Sequence, residues 1–206
     1  MDMNKDIYYL SDTDVPEEIQ FLRDIKISNK RRVWWRFMKK YDVQSICELG
    51  VFGSTNFLRM IESNPKIAVG VDLWLGDGNP ATNDSNFSQE VLDKQCQFFQ
   101  SIMQKNSNVR LYRDYTHNAV KNFPDEYFDL IYIDADHTYE GCMQDLIDWY
   151  PKVKKGKFFT GDDYTNSRAP LVGVQFGVVP AVNDFAKERG LKVYELTRHG
   201  WAIIKE

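Results

Sequence analysis

From residue 43 onward the chain alternates short β-rich runs with helical stretches, and this alternation restricts the fold more than any other feature. Strand-like runs occur at Ser45–Leu49, Ala68–Leu73, Val109–Arg113, Phe128–Ile133 and Lys157–Thr160, and helical periodicity fills 54–63, 88–105, 116–122, 138–153 and 178–189. Strands that each follow a helix return in the same direction and form a parallel sheet covered on both faces. The end of the chain breaks the pattern. Leu191–Leu196 and Trp201–Lys205 are joined only by Thr197, Arg198, His199 and Gly200, a link that closes only an antiparallel hairpin. The expectation is a doubly wound, seven-stranded α/β sheet, mostly parallel, with an antiparallel C-terminal hairpin.

Residues 1–42 are expected to form a helical N-terminal extension to one domain spanning 43–206. Apolar positions recur at helical spacing (Ile19, Leu22, Ile25, then Val33, Trp34, Phe37, Met38), with Asp14 and Pro16 as a start signal and a break near Ser28-Asn29. Lys30, Arg31, Arg32, Arg36, Lys39 and Lys40 in its second half read as a solvated helix face rather than an anion-binding one. A chain of 206 residues has enough apolar residues for one core. Its net charge of −4 and pI near 5.5 disfavour nucleic acid and anionic membrane as partners. The acidic, polar start (MDMNKDIYYLSDTDVPEE) does not read as a signal peptide, and no run approaches the roughly 20 apolar residues that span a bilayer, so a cytoplasmic location is expected. Cys47, Cys96 and Cys142 are odd in number and form no CxxC pair, which reads as packed, reduced thiols.

The first strand runs into Glu48, then Gly50 and Gly53, then a helix start marked by Ser54 and Thr55, and Asp72 follows at the end of VGVD. A strand, a glycine turn, a helix and a second acidic residue about twenty positions later make a nucleoside-binding layout, in which Asp72 accepts hydrogen bonds from ribose hydroxyls. A dinucleotide fold needs a glycine where this chain has Phe52, because the backbone must reach a pyrophosphate there. S-adenosylmethionine carries no phosphate, and Glu48-x-Gly50-x-x-Gly53 suits its amino-acid end.

A second constellation lies at the ends of the fourth and fifth strands. IDADHTYE supplies Asp134, Asp136 and His137, and TGDDY supplies Asp162 and Asp163. Neighbouring parallel strands bring these ends together on the side where open α/β sheets bind ligands. Four carboxylates in one crevice repel one another unless a cation joins them, which points to Mg²⁺, or Mn²⁺ or Ca²⁺. Asp136 or Thr138 is alternatively a cap for the helix that starts there. His137 beside these carboxylates is a candidate general base with a pKa range suited to neutral pH, and Asp136 is the second candidate. His117 and His199 lack such company and read as surface or capping residues.

The runs ELGVFGST, VGVDLW, FDLIYIDADHTYE and WYPKVKKGKFFTGDDY, in that order over residues 43–206, resemble the class I S-adenosylmethionine-dependent methyltransferases. Within them the likeness is to the small O-methyltransferases of sugars and natural products, including the macrocin and cephalosporin-hydroxylase-like branch. The resemblance implies a Rossmann-like sheet with its last strand inserted antiparallel. It implies Gly50 and Gly53 beside the methionine part, Asp72 on the ribose and Asp114 near the adenine amino group. With Glu48, Phe52, Ser54 and Asp134, these are the candidate donor-binding residues. It also implies Asp134, Asp162 and Asp163 as metal ligands and His137 as the base. Phe52 and Arg113 stand where that family usually carries glycine.

Two rival readings are a nicotinamide-dependent oxidoreductase of Rossmann topology and a noncatalytic nucleoside-binding domain. The first is disfavoured by Phe52, by the terminal hairpin and by the absence of an obvious Tyr-x-x-x-Lys; the second by the presence of both Asp72 and the acidic cluster. A nucleic-acid amino methyltransferase would show Asn/Asp-Pro-Pro-Tyr/Phe where this chain has Asp-Ala-Asp-His. The expected acceptor is a small-molecule hydroxyl, a sugar among the candidates, selected by the extension and by loops 76–88 and 164–177 with Tyr164, Arg168, Gln175 and Phe176. A homo-oligomer is compatible with the sequence.

Overall fold

Two helices precede the sheet in the computed structural model, which describes residues 15–28, 31–75, 87–165, 177–196 and 199–206. They are α1 (Glu17–Ser28) and α2 (Arg31–Lys40). Ile19, Leu22 and Ile25 of α1 and Trp34, Phe37 and Met38 of α2 are buried in the core on one face of the sheet. The apolar stripe read from the sequence is therefore a packing face, while Arg36, Lys39 and Lys40 are exposed as a solvated face should be. Lys40 pairs with Glu17, and Lys39 lies 4.9 Å from the Trp35 ring centroid. Asp14 and the side chains of Lys30, Arg31 and Arg32 fall outside the described residues.

The remaining elements are β1 (Ser45–Leu49), α3 (Thr55–Glu62), β2 (Ile67–Asp72), α4 (Gln89–Lys105), β3 (Val109–Arg113), α5 (Thr116–Ala119), β4 (Phe128–Ile133), α6 (Tyr139–Trp149), β5 (Val153–Gly161), α7 (Val178–Arg189), β6 (Tyr194–Leu196) and β7 (Gly200–Ile204). Seven strands form one sheet in the order β3-β2-β1-β4-β5-β7-β6. The first five are parallel, and β7 inserts between β5 and β6, antiparallel to both. This is the Rossmann-like arrangement expected from the sequence. β5 begins four residues earlier than the apolar run suggested, because Lys154 and Lys155 continue the strand at the sheet margin, where charged side chains remain solvated.

β1 and β4 are buried along their whole lengths, which explains their mostly apolar character; Ser45 and Glu48 in β1 and Asp129 in β4 are the buried polar residues. Side chains alternate across the sheet: Ile46 and Leu130 face the core under α1 to α4, while Cys47 and Ile131 face the core under α6 and α7. All three cysteines are buried and free. Among the described residues no helix is long and apolar enough to cross a membrane.

The register positions the crevice. Leu49 lies beside Val71 on one side and Ile133 on the other, and Ile133 lies beside Gly161, so four strands end at one level. The chain moves outward from β1 to β3 and then crosses to β4, which makes the gap between β1 and β4 the switch point of the topology.

The opposite end of the same strands is pinned by Asp129. Its Oδ2 accepts from the backbone N–H groups of Gln44 and Ser45 and from Ser45 Oγ, each at 2.8 Å, and Oδ1 pairs with Lys154 at 2.9 Å. Removing this buried carboxylate strands two backbone donors at the start of β1. Asp129→Ala should lower stability by about 3 kcal/mol in urea unfolding, the scale for breaking a buried charged network; an unchanged midpoint would show that the tie is dispensable.

Candidate active site

A cavity of about 880 Å³ opens at the switch point. Its walls are the loops after β1, β2, β3, β4 and β5, the first part of α6, and Ile25 from α1. The size lies within the range of small-ligand sites.

The turn after β1 is built from its glycine outward. Gly50 adopts φ +81°, and a side chain there would place its Cβ 1.8 Å from the Asp134 carbonyl oxygen. Only glycine allows the two strand ends to approach this closely. Gly50 N–H donates to the Val71 carbonyl at 2.9 Å, and Asp134 N–H donates to the Leu49 carbonyl at 2.8 Å, continuing the sheet pattern beyond its strands. Gly53 borders the cavity and faces the Gln95 amide. Ser54 borders it too while capping α3: its Oγ accepts from the N–H groups of Asn56 and Phe57 and donates to Glu48 Oε1 at 2.7 Å.

Glu48 itself lies beneath the cavity, fully buried and outside its lining. Burial holds its carboxyl well above the usual range, while Ser54 and Asn56 favour the charged form. Its Oε2 has no hydrogen bond of good geometry, and neither has Asn56 Nδ2. The sequence placed Glu48 on the ligand; the structure places it under the turn that borders the ligand space.

Asp72 ends β2 at the cavity wall. Its Oδ2 accepts from Phe52 N–H and its Oδ1 from Trp74 N–H, both at 2.6 Å. A carboxylate has about four acceptor sites, so Asp72 keeps capacity for a further donor. Burial raises its pKa against the Trp74, Phe52 and Val51 backbone donors and Arg113. Asp114 follows β3, also on the wall, and its Oδ1 accepts from Tyr115 N–H at 2.8 Å and from Asn118 Nδ2 at 3.1 Å.

On the other side, His137 Nε2 stands 3.0 Å from Asp163 Oδ2 and 3.4 Å from Asp134 Oδ1. Asp134, His137 and Asp163 converge closely enough to share one metal ion. Asp162 points elsewhere: its Oδ2 accepts from the Tyr132 hydroxyl at 2.8 Å and its Oδ1 from Asp163 N–H at 3.0 Å. The convergent set therefore contains His137 in the place that the sequence reading gave to Asp162. Desolvation pushes Asp134 up to about 6; the His137 contact opposes this, and Asp162 and Asp163 add to it. Asp136 borders the cavity and accepts from Thr138 N–H at 2.8 Å, and Thr138 is the cap of α6.

Several wall residues carried no clear signal in the sequence. His117, expected at the surface or in a cap, is exposed, and it also borders the cavity and stacks on Tyr115 with ring centroids 5.2 Å apart. His199 is a turn residue whose carbonyl accepts from Tyr164 N–H at 2.6 Å. Tyr164 reaches away from the cavity to Asn183, and Arg168, Gln175, Phe176 and most of loop 76–88 fall outside the described residues. Asp145 was detectable in principle, as a carboxylate among Cys142, Leu146 and Trp149 on the apolar face of α6.

This fold and crevice define a Rossmann-like α/β protein with a ligand-sized cavity at its switch point. The chain belongs to the methyltransferase domain family, whose sequence pattern matches residues 47–164. No curated protein matches the chain. Among solved structures it is similar to the O-methyltransferase NovP, with 15% identity, 87% of this chain and 79% of that chain covered, and a TM-score of 0.62. It is also similar to the SAH-bound methyltransferase PaMTH1 of Podospora anserina, with 14% identity, 93% and 89% covered, and a TM-score of 0.58. An O-methyltransferase from Bacillus cereus in complex with SAH matches at 13% identity, 96% of both chains and a TM-score of 0.55.

Asp145 generates a pH prediction. Burial pushes its carboxyl from 3.8 up to about 7, with Thr116 opposing and Asp136 and Asp148 reinforcing the shift. A folded-state pKa raised above the unfolded one means stability that is full at acid pH and falls as pH rises from about 3.8 to about 7. Asp145→Asn keeps the neutral form. Its melting temperature should gain on the parent chain across that window and run parallel above it; a constant difference at all pH values would show that Asp145 does not bind this proton.

Proposed function

We propose that the chain is an S-adenosylmethionine-dependent O-methyltransferase acting on a hydroxyl of a small polyol acceptor, such as a sugar or natural product, with a divalent cation in the acidic crevice. The observation that carries this reading is one cavity lined both by the Asp72 carboxylate at the end of β2 and by the cluster of Asp134, His137 and Asp163. The two solved structures with SAH in similar folds support the choice of donor.

The residues present fit that donor. Asp72 presents its carboxylate at the cavity wall for the two ribose hydroxyls, and Gly50, Phe52, Gly53 and Ser54 border the space for the amino-acid end. Asp114 is the acceptor nearest the β3 side for an adenine amino group. The donor, when bound, supplies an electrophilic methyl group on a sulfonium.

The acceptor hydroxyl must lose its proton as the methyl group arrives. His137 Nε2 stands 3.0 Å from Asp163 Oδ2 and 3.4 Å from Asp134 Oδ1, on the wall of the same cavity. Asp134 and Asp163, with Asp162 beside them, would hold Mg²⁺, or Mn²⁺ or Ca²⁺, which would lower the pKa of an acceptor hydroxyl. His137, on this wall, would take the hydroxyl proton as the methyl group arrives. Asp136, on the same wall, is the alternative base.

Two measurements test this. His137→Ala should lower turnover by about 10²–10⁴ while S-adenosylhomocysteine affinity stays within about twofold; unchanged turnover would move the base to Asp136. EDTA should abolish methyl transfer on a panel of sugars, nucleotide sugars and catechols, and Mg²⁺ or Mn²⁺ should restore it. Full activity in EDTA would remove the cation and leave the aspartates as acceptors for substrate hydroxyls.

A further inference from the structure

The turns after β1 and β2 are locked to each other by an indole. Trp74 is 1% exposed, and its Nε1–H donates to the Phe52 carbonyl at 3.0 Å. The backbone N–H groups of the same two residues grip the two oxygens of Asp72. Carboxylate, Phe52 and Trp74 thus form a closed ring of three hydrogen bonds. Both Phe52 and Trp74 have φ of +43°. That region disfavours residues with a side chain, and such conformations persist only where their surroundings hold them.

The holders are two. Arg113 Nη2 donates to the Trp74 carbonyl at 3.0 Å and its Nε to the Leu73 carbonyl at 3.1 Å. Gln89 Nε2 donates to the Trp74 carbonyl at 2.9 Å. Asp93 joins both, accepting from Arg113 at 2.8 Å and from Gln89 at 2.9 Å. Phe52 and Arg113, the two positions that depart from the glycines of the family pattern, are therefore parts of one device. A glycine reaches a left-handed turn unaided; Phe52 is held there by Trp74, and Trp74 by Arg113, Gln89 and Asp93.

We propose that Trp74 is a donor-positioning residue: its indole N–H holds the Phe52 carbonyl while Arg113 and Gln89 hold its own carbonyl, and together these bonds aim the two oxygens of Asp72 at a vicinal diol and so select an unmodified ribose. The proposal rests on the reading that Asp72 receives the ribose hydroxyls of the methyl donor. With the Phe52 N–H on Oδ2 and the Trp74 N–H on Oδ1, both oxygens of Asp72 are fixed at the cavity wall, a placement suited to two neighbouring hydroxyls.

The test compares S-adenosylhomocysteine with its 2′-deoxy analogue by calorimetry on the full chain, with thermal melting as a check of folding. Trp74→Phe keeps the aromatic bulk and removes the N–H. It should weaken S-adenosylhomocysteine about tenfold and the deoxy analogue no more than about threefold, so that the preference for the ribose form shrinks. Equal losses for both ligands would make Trp74 a packing residue and overturn the proposal, as would no loss for either. If Trp74→Phe does not fold, Arg113→Ala at the rim carries the same comparison: a shrunken ribose preference supports the latch, and an unchanged preference overturns it. Failure of the unaltered chain to bind S-adenosylhomocysteine at all would instead defeat the donor reading, a result distinct from either of these.

Discussion

The carboxyl ends of β1 and β4 touch backbone to backbone, with the Cα of Gly50 against the carbonyl of Asp134. Every other part of the crevice takes its position from this contact. The donor turn begins at Gly50 and the acidic cluster begins at Asp134, so one van der Waals contact sets the distance between the two halves of the proposed chemistry. Gly141 repeats the device on a smaller scale: a Cβ there would sit 2.2 Å from the Asp136 carboxyl carbon, so its hydrogen lets that side chain lie over the start of α6. Two glycines thus shape the crevice by what they leave out.

The second constraint is charge. The cavity wall carries Asp72, Asp114, Asp134, Asp136, Asp145, Asp162 and Asp163, and no lysine or arginine appears among the described lining residues. The protein manages this in three ways. Backbone N–H groups and a tyrosine hydroxyl satisfy Asp72, Asp114, Asp136 and Asp162. Burial raises the pKa of Asp134 and Asp145 on the wall and of Glu48 beneath it. His137 Nε2 lies within 3.4 Å of a carboxylate oxygen of Asp134 and of Asp163. A cationic donor and a divalent ion are the natural complements of such a wall.

Much of the fold was legible in the sequence because a parallel sheet covered on both faces needs long apolar strands with helices between them, and IDADHTYE and TGDDY mark where such strands end. The terminal hairpin followed from a link too short for anything else. The site divided differently. Asp72 and His137 announced themselves by strand-end position, whereas Glu48 at the same kind of position supports the turn from below. Whether a carboxylate at a strand end faces up or down depends on the pleat, and one residue of register reverses it. The exchange of His137 for Asp162 in the convergent cluster has a similar origin. Tyr132 lies in an uninterrupted apolar strand, and nothing in FDLIYID shows that its hydroxyl draws Asp162 aside. Trp74 stands in VGVDLW with no mark of its role, since a hydrogen bond from an indole to a carbonyl 22 residues away leaves no trace in periodicity.

The insertion of β7 between β5 and β6 bears on how the protein comes into being on the ribosome. β5 carries Asp162 and Asp163 at its end, yet its outer edge is closed by a strand that emerges after β6. A nascent chain that has made every earlier strand still presents the bare edge of β5 to solvent, an open template for pairing with another chain. The acidic pair therefore follows a strand whose outer edge stays unpaired until the antiparallel strand slides into its slot.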